Sequence, residues 1–130
     1  MSYSIDDLVR YRMQRSIEAL EDADLLEARG RWNAAANRMY YACFYAISAF
    51  LIHKRIRATT HAGLKSMFNK EMVRTGIVSK EDGLLFNQLF QMRQEADYED
   101  FQSIRKEDIA SVLPKVKSLV YLIQDYIANN

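Results

Sequence analysis

Glycine, proline and cysteine are scarce in this 130-residue chain, which contains four glycines, one proline and one cysteine. Because glycine and proline interrupt helices, their scarcity leaves room for long helices. A single cysteine excludes an internal disulfide, and Cys43 stands in an apolar run that favours a core position over a nucleophilic role. The Cys and His residues do not have zinc-site spacing, so we expect neither a metal nor another cofactor.

The chain also lacks an excess of charge of one sign and a long apolar run. Its 18 basic and 17 acidic residues give a formal net charge of +1, whereas a dedicated duplex-DNA binder usually carries a clear basic excess. No stretch approaches about 18 apolar residues, so we expect no membrane-spanning segment. Residues 1–7 are polar and acidic, unlike a secretory signal. These features predict a cytoplasmic protein.

Hydrophobic residues make up 49% of the chain, which suits a packed core, and the length fits one domain over residues 1–130. Apolar periodicity and capping residues predict helices over about 5–29, 31–54, 61–74, 80–98 and 105–128. The predicted fold class is therefore an all-α, antiparallel up-and-down bundle of four long helices and one short helix. Pro114 lies inside the last predicted helix, where we expect a kink or a break.

The second predicted helix is apolar nearly all round, which is typical of a central, buried helix. Arg38, Tyr41 and Tyr45 follow each other at gaps of three and four and share one face of it. An arginine in such a helix needs a carboxylate or several acceptors, and we expect Asp97 to be its partner. The three residues either form a buried network that fixes the helix register or line a ligand-binding cleft.

The fourth predicted helix carries two adjacent stripes, and one of them runs through Phe86, Phe90, Arg93 and Asp97. Because this band is too apolar to leave wet, we expect a homodimer through the face of Phe86, Phe90 and Arg93. Arg93 and Asp97 are four residues apart and can form an ion pair. Alternatively, they join Tyr98 in a polar cleft that holds phosphate or a base, for which the planar guanidinium is well suited.

His61 follows Thr60, the predicted N-cap of the third helix. Its charged form is disfavoured near a helix N-terminus, which favours a packing or hydrogen-bonding role. A catalytic role would require His61 to lie close to Arg93 in space.

Three blocks of sequence carry a resemblance to a known family. They are residues 38–46 (RMYYACFYA), 60–64 (THAGL) and 93–98 (RQEADY). In this order and spacing they resemble the short stand-alone HEPN-domain proteins of bacteria and archaea. The resemblance implies a bundle of four or five helices, a homodimer, and a minimal nucleotidyltransferase partner in a toxin–antitoxin-like pair.

The resemblance also implies an activity, because many HEPN proteins are metal-independent endoribonucleases. Those use an Arg, then four to six residues, then a His, at the dimer seam. Arg93 matches the arginine, but Tyr98 stands at the nearest histidine position and no histidine follows Arg93. Three hypotheses result: a dimeric module that binds nucleotide or RNA, a ribonuclease toxin with a non-standard site that recruits His61, and a purely structural interaction protein.

Overall fold

The computed structural model describes residues 4–97 and 104–130, and every regular element within them is helical. The helices are α1 (Ile5–Ala28), α2 (Trp32–His53), α3 (His61–Phe68), α4 (Lys80–Asp97) and α5 (Lys106–Asn129). One π-helical turn, Asn69–Val73, extends α3. This architecture confirms the predicted all-α bundle of four long helices and one short helix.

Local side-chain bonds explain why the helices begin where the sequence predicts. The Asp7 backbone amide donates to Ser4 Oγ at 3.1 Å, and the Ser4 amide donates to the Asp7 carboxylate at 3.3 Å. Ser79 and Asp82 form the same reciprocal pair, with both distances at 3.1 Å. Gly30, just past α1, has a φ of +69°, which glycine adopts without strain. These bonds satisfy amide groups that a helix end leaves free.

Helix α2 is the centre of the bundle, since it packs against α1, α3, α4 and α5. Cys43 on α2 is fully buried, which confirms its predicted core position, and burial raises the pKa of its thiol. The buried Ser16 hydroxyl of α1 donates to the Ala42 carbonyl of α2 at 2.6 Å. The central position of α2 explains why the sequence is apolar nearly all round it.

Pro114 does not break α5, which continues from Lys106 to Asn129. Pro114 and Ala110, whose carbonyl loses its usual helical donor, are both exposed. Water can therefore satisfy the Ala110 carbonyl, which explains why a proline is tolerated in this helix.

Two further properties of the described helices bear on function. None of the helices in residues 4–97 and 104–130 combines the length and the apolarity that crossing a membrane requires. Within the same residues, no three His, Cys, Asp or Glu side chains lie close enough together to hold a metal ion.

Candidate functional site

The guanidinium group of Arg93, on α4, is held by aromatic rings. Its central carbon lies 4.6 Å from the centroid of the Tyr40 ring, 5.6 Å from that of Tyr41 and 5.5 Å from that of Phe90. Arg93 Nη1 donates a hydrogen bond of 3.0 Å to the Tyr41 hydroxyl. Its Nε atom is buried and has no acceptor among the described residues. Arg93 is half-buried and is stabilised by cation–π contacts.

His61, the first residue of α3, lies in the same place. Its Nδ1 atom is 2.6 Å from the Tyr40 hydroxyl, and its ring stacks on Phe90 with centroids 3.8 Å apart at 15°. His61 and Arg93 therefore share two neighbours, Tyr40 and Phe90. We call Tyr40, Tyr41, His61, Phe90 and Arg93 the Arg93 cluster.

The charge state of His61 follows from this setting. Burial lowers the pKa of His61 below its usual value, and the nearby cations Lys65 and Arg93 lower it further. The imidazole is therefore neutral at pH 7. A neutral imidazole can accept a proton, which a charged one cannot.

Tyr40 connects the cluster and is the residue that the sequence analysis missed. Its side chain is 1% exposed, stacks on Phe86 and hydrogen-bonds His61. Burial raises the pKa of Tyr40 to about 12, although Arg93 acts in the opposite direction, so its hydroxyl keeps its proton. The sequence holds one indication of this role, because a tyrosine in a helix buried all round needs a partner for its hydroxyl.

Arg38 does not pair with Asp97, and that prediction was wrong. Its Nη2 and Nε atoms donate to Asn37 Oδ1 at 2.8 and 3.1 Å, and its guanidinium carbon lies 5.2 Å from the Tyr41 ring centroid. The neighbouring asparagine supplies the acceptor that we expected from a carboxylate. The Tyr41 ring thus contacts two cations, Arg38 and Arg93, and Arg38 adjoins the Arg93 cluster through this ring.

Tyr45 lies one step further along α2, away from Arg93. Its ring centroid is 5.8 Å from that of Tyr41. The guanidinium carbons of Arg12 and Arg15, on α1, lie 5.9 and 5.4 Å from the Tyr45 centroid. The structure therefore brings Tyr45 to two arginines of α1, which no pattern within α2 predicted.

The predicted ion pair between Arg93 and Asp97 does not form. Asp97 is exposed, and Tyr98 lies outside the described residues. Three ion pairs occur within residues 4–97 and 104–130: Asp7–Arg10, Asp24–Lys117 and Arg105–Asp108. None of them involves Arg93 or Arg38, so the carboxylates of the described residues do not neutralise these two cations at close range.

Phe86 belongs to the core of its own chain, so the prediction that it lines a homodimer seam was wrong. Its side chain is 0% exposed, and its ring packs on Tyr40 and Phe68. Phe90, one turn later, is partly exposed and covers His61. The apolar band of α4 is thus largely covered by α2 and α3 of the same chain. Of the predicted dimer face, Phe90 and Arg93 alone remain partly exposed.

The second and fourth helices of this all-α bundle bring Tyr41 and Arg93 together. The chain matches the HEPN domain family over residues 9–126. This match covers most of the sequence, and the chain belongs to the HEPN domain family.

Two relatives extend the comparison. The chain is 34% identical over 122 residues to a UPF0332 protein of Thermotoga maritima, which covers 94% of this chain and 92% of that protein. It is 31% identical over 103 residues to a protein of Methanocaldococcus jannaschii that is named a "putative toxin", with 79% of this chain and 70% of that protein covered.

Proposed function

We propose that this HEPN chain has a toxin-like, RNA-related role, and that Arg93 binds a phosphate group of single-stranded RNA. The supporting observation is the setting of the guanidinium group, which rests on aromatic rings without a carboxylate partner among the described residues. Of its five N–H donors, the described residues engage one, the donor to Tyr41. A cation that is oriented but not neutralised is suited to an anionic ligand with several acceptor oxygens.

Two partners complete the proposal. A second copy of this chain adds its own Arg93 cluster across the partly exposed ring of Phe90, and the dimer forms the groove in which the RNA lies. A minimal nucleotidyltransferase regulates the pair, as the HEPN resemblance implies. Light scattering of the purified chain tests the dimer, and a monomer at high concentration would contradict that part of the proposal.

The binding proposal is tested with Arg93→Gln and fluorescently labelled single-stranded RNA. Loss of a charge-assisted hydrogen bond costs about 1.5–3 kcal/mol, so the affinity is expected to fall by at least about tenfold. The slope of log affinity against log salt concentration is expected to decrease by about one phosphate contact. The matched control is Arg10→Gln, which removes the same charge from an exposed arginine already paired with Asp7. Equal affinities of Arg93→Gln and the wild type would overturn the proposal.

A second candidate function, RNA cleavage, is favoured by the proximity of His61 to Arg93. In this reaction the ribose 2′-oxygen attacks phosphorus and its proton passes to His61, while the bond from phosphorus to the 5′-oxygen breaks. The 5′-oxygen leaves as a hydroxyl with a proton from water, and the product is a 2′,3′-cyclic phosphate. Arg93 would stabilise the negative charge on the phosphorane oxygens. His61 Nδ1 must then donate to the Tyr40 hydroxyl, so that Nε2 is free to accept the proton.

The two candidates give different results with one pair of variants. If the chain only binds RNA, the RNA remains intact and His61→Asn binds it nearly as well as the wild type. If the chain cleaves RNA, a 2′,3′-cyclic phosphate product appears with the wild type and disappears with His61→Asn and with Arg93→Gln. Purified RNA and mass spectrometry of its ends distinguish these outcomes without any partner protein.

A further inference from the structure

A second group of side chains, the cations Arg12 and Arg15 with the Tyr45 ring, lies beside the Arg93 cluster and is not used by the function proposed above. Arg12 and Arg15 are three residues apart on α1 and both point their guanidinium groups at the Tyr45 ring. We call these three residues the outer cluster. They bring two positive charges to one aromatic ring, as Arg38 and Arg93 do at Tyr41.

The arginines of the outer cluster also lack close carboxylate partners. Neither Arg12 nor Arg15 takes part in the ion pairs of the described residues. The nearest acidic residue along the helix, Glu18, accepts a hydrogen bond from Gln14 at 3.3 Å. Arg12 Nε is buried without an acceptor among the described residues, as is Arg93 Nε. Both clusters therefore contain a partly buried guanidinium that contacts tyrosine and forms no ion pair with a carboxylate of residues 4–97 and 104–130.

The two clusters lie on a continuous aromatic row. The ring centroids of Tyr40 and Tyr41 are 5.1 Å apart, and those of Tyr41 and Tyr45 are 5.8 Å apart. From Arg38 to Tyr45 the helix rises about 10 Å. At about 3.4 Å per nucleotide of a stacked strand, this row covers about three nucleotides. Cations that alternate with aromatic rings are the arrangement that binds single-stranded nucleic acid without reading its sequence.

We propose that the outer cluster is a second phosphate subsite, which binds the backbone of a single-stranded RNA a few nucleotides away from the phosphate at Arg93. This inference rests on the proposed function, because it takes the ligand of Arg93 to be RNA. It adds that the ligand is an oligonucleotide and not a mononucleotide. It also predicts little base preference, since the contacts are to phosphates and to ring faces.

The test compares a diuridylate with a decauridylate, both fluorescently labelled, on wild-type protein and on the double variant Arg12→Gln/Arg15→Gln. The double variant is expected to lose about tenfold or more in affinity for the decanucleotide. The slope of its log affinity against log salt concentration is expected to decrease by an amount that corresponds to nearly two phosphate contacts. Its affinity for the dinucleotide, which reaches only the Arg93 cluster, is expected to stay within about twofold of wild type.

The matched control is Arg10→Gln/Arg29→Gln, which removes two charges from exposed positions at the same helix and its C-cap. A control that weakens decanucleotide binding as much as the double variant would overturn the subsite, because net charge alone would explain the effect. The variant Arg12→Lys/Arg15→Lys keeps both charges but loses the planar stacking groups. Its affinity for the decanucleotide is expected to lie between that of the wild type and that of Arg12→Gln/Arg15→Gln. Thermal melting verifies that all variants are folded.

The failure of this inference differs from the failure of the proposed function. If Arg93→Gln abolishes binding of both oligonucleotides while Arg12→Gln/Arg15→Gln binds both like wild type, the subsite is wrong and the Arg93 site stands. If neither oligonucleotide binds wild-type protein, both proposals fall. If the double variant loses dimerisation and keeps its RNA affinity, the outer cluster is a protein interface and the subsite is overturned.

Discussion

The Nδ1 atom of His61 lies 2.6 Å from the hydroxyl oxygen of Tyr40, which joins the first residue of α3 to the middle of α2. Residues 54–60 separate the two helices, so this bond fixes where the short helix begins against the central one. Tyr40 also contacts the guanidinium of Arg93, so one buried tyrosine orients both the imidazole and the guanidinium of the Arg93 cluster.

The first prediction concerns the hydroxyl of Tyr40. Tyr40→Phe keeps the ring under Arg93 but removes the partner of His61 Nδ1, and it is expected to lower the free energy of unfolding by about 1 kcal/mol. Urea denaturation followed by circular dichroism measures this change. The control is Tyr121→Phe, which alters a hydroxyl on a side chain that is 48% exposed and is expected to change stability little. Equal effects of the two substitutions would contradict the assigned bond.

The second prediction concerns pH. The pKa of His61 is lowered on folding, first by burial and then by Lys65 and Arg93. The unfolded chain therefore binds this proton more readily than the folded one. The contribution of neutral His61 to the free energy of unfolding is complete above the usual histidine pKa of 6.5. It is lost as the pH falls below 6.5 towards the pKa of His61 in the folded protein.

Unfolding free energies at about pH 5 and pH 7.5 test this sign. Carboxylates also titrate in this range, so the informative quantity is the difference between variants. His61→Asn is expected to show a smaller loss of stability on acidification than the wild type. His53→Asn, which changes the chain's other histidine, is the matched control for this substitution. A reversed order would show that His61 is not the group responsible.

The third prediction follows from the position of Phe86 in the core. Phe86→Ala removes a ring that is 0% exposed and is expected to cost about 3–5 kcal/mol of stability. Leu84→Ala, two residues away on α4, removes a side chain that is 68% exposed and is expected to change stability by less than about 0.5 kcal/mol. Thermal denaturation of both variants provides the measurement. An effect of Phe86→Ala as small as that of Leu84→Ala would contradict the core position of Phe86.

The fourth prediction concerns Pro114 in α5. Pro114→Ala restores a backbone donor to the Ala110 carbonyl and is expected to raise the free energy of unfolding by about 1–2 kcal/mol, since the gain in helix propensity exceeds the greater entropy of the unfolded chain. Ser118→Ala, at another exposed position of the same helix, is expected to add less than about 0.5 kcal/mol. A neutral or destabilising Pro114→Ala would indicate that the proline is needed for packing.

The helices were predictable from sequence because their ends are determined locally. Ser4 and Ser79 cap α1 and α4 through bonds to residues three positions ahead, and such pairs can be read directly from the sequence. The π-helical turn Asn69–Val73 was not predicted, because helical periodicity does not distinguish it from a continuation of α3.

The site was predicted in part, and the errors have a common cause. Arg93, His61 and Tyr41 were identified and do lie together, but their partners depend on contacts between helices that no single helix pattern contains. Asp97 was assigned to Arg38 because burial seemed to demand a carboxylate, whereas adjacent Asn37 supplies the acceptor. Tyr40 is not distinguished by the sequence pattern, because its bond to His61 depends on how α3 packs against α2.

Cys43 provides a practical consequence of how completely α2 is enclosed. The chain has no other cysteine, and the Cys43 thiol is shielded from solvent and held in its unreactive protonated form. Maleimide reagents should therefore leave the folded wild-type protein unlabelled. A cysteine introduced at exposed Ala62 would carry a fluorophore next to His61, so ligand arrival could be followed optically without first replacing the native cysteine.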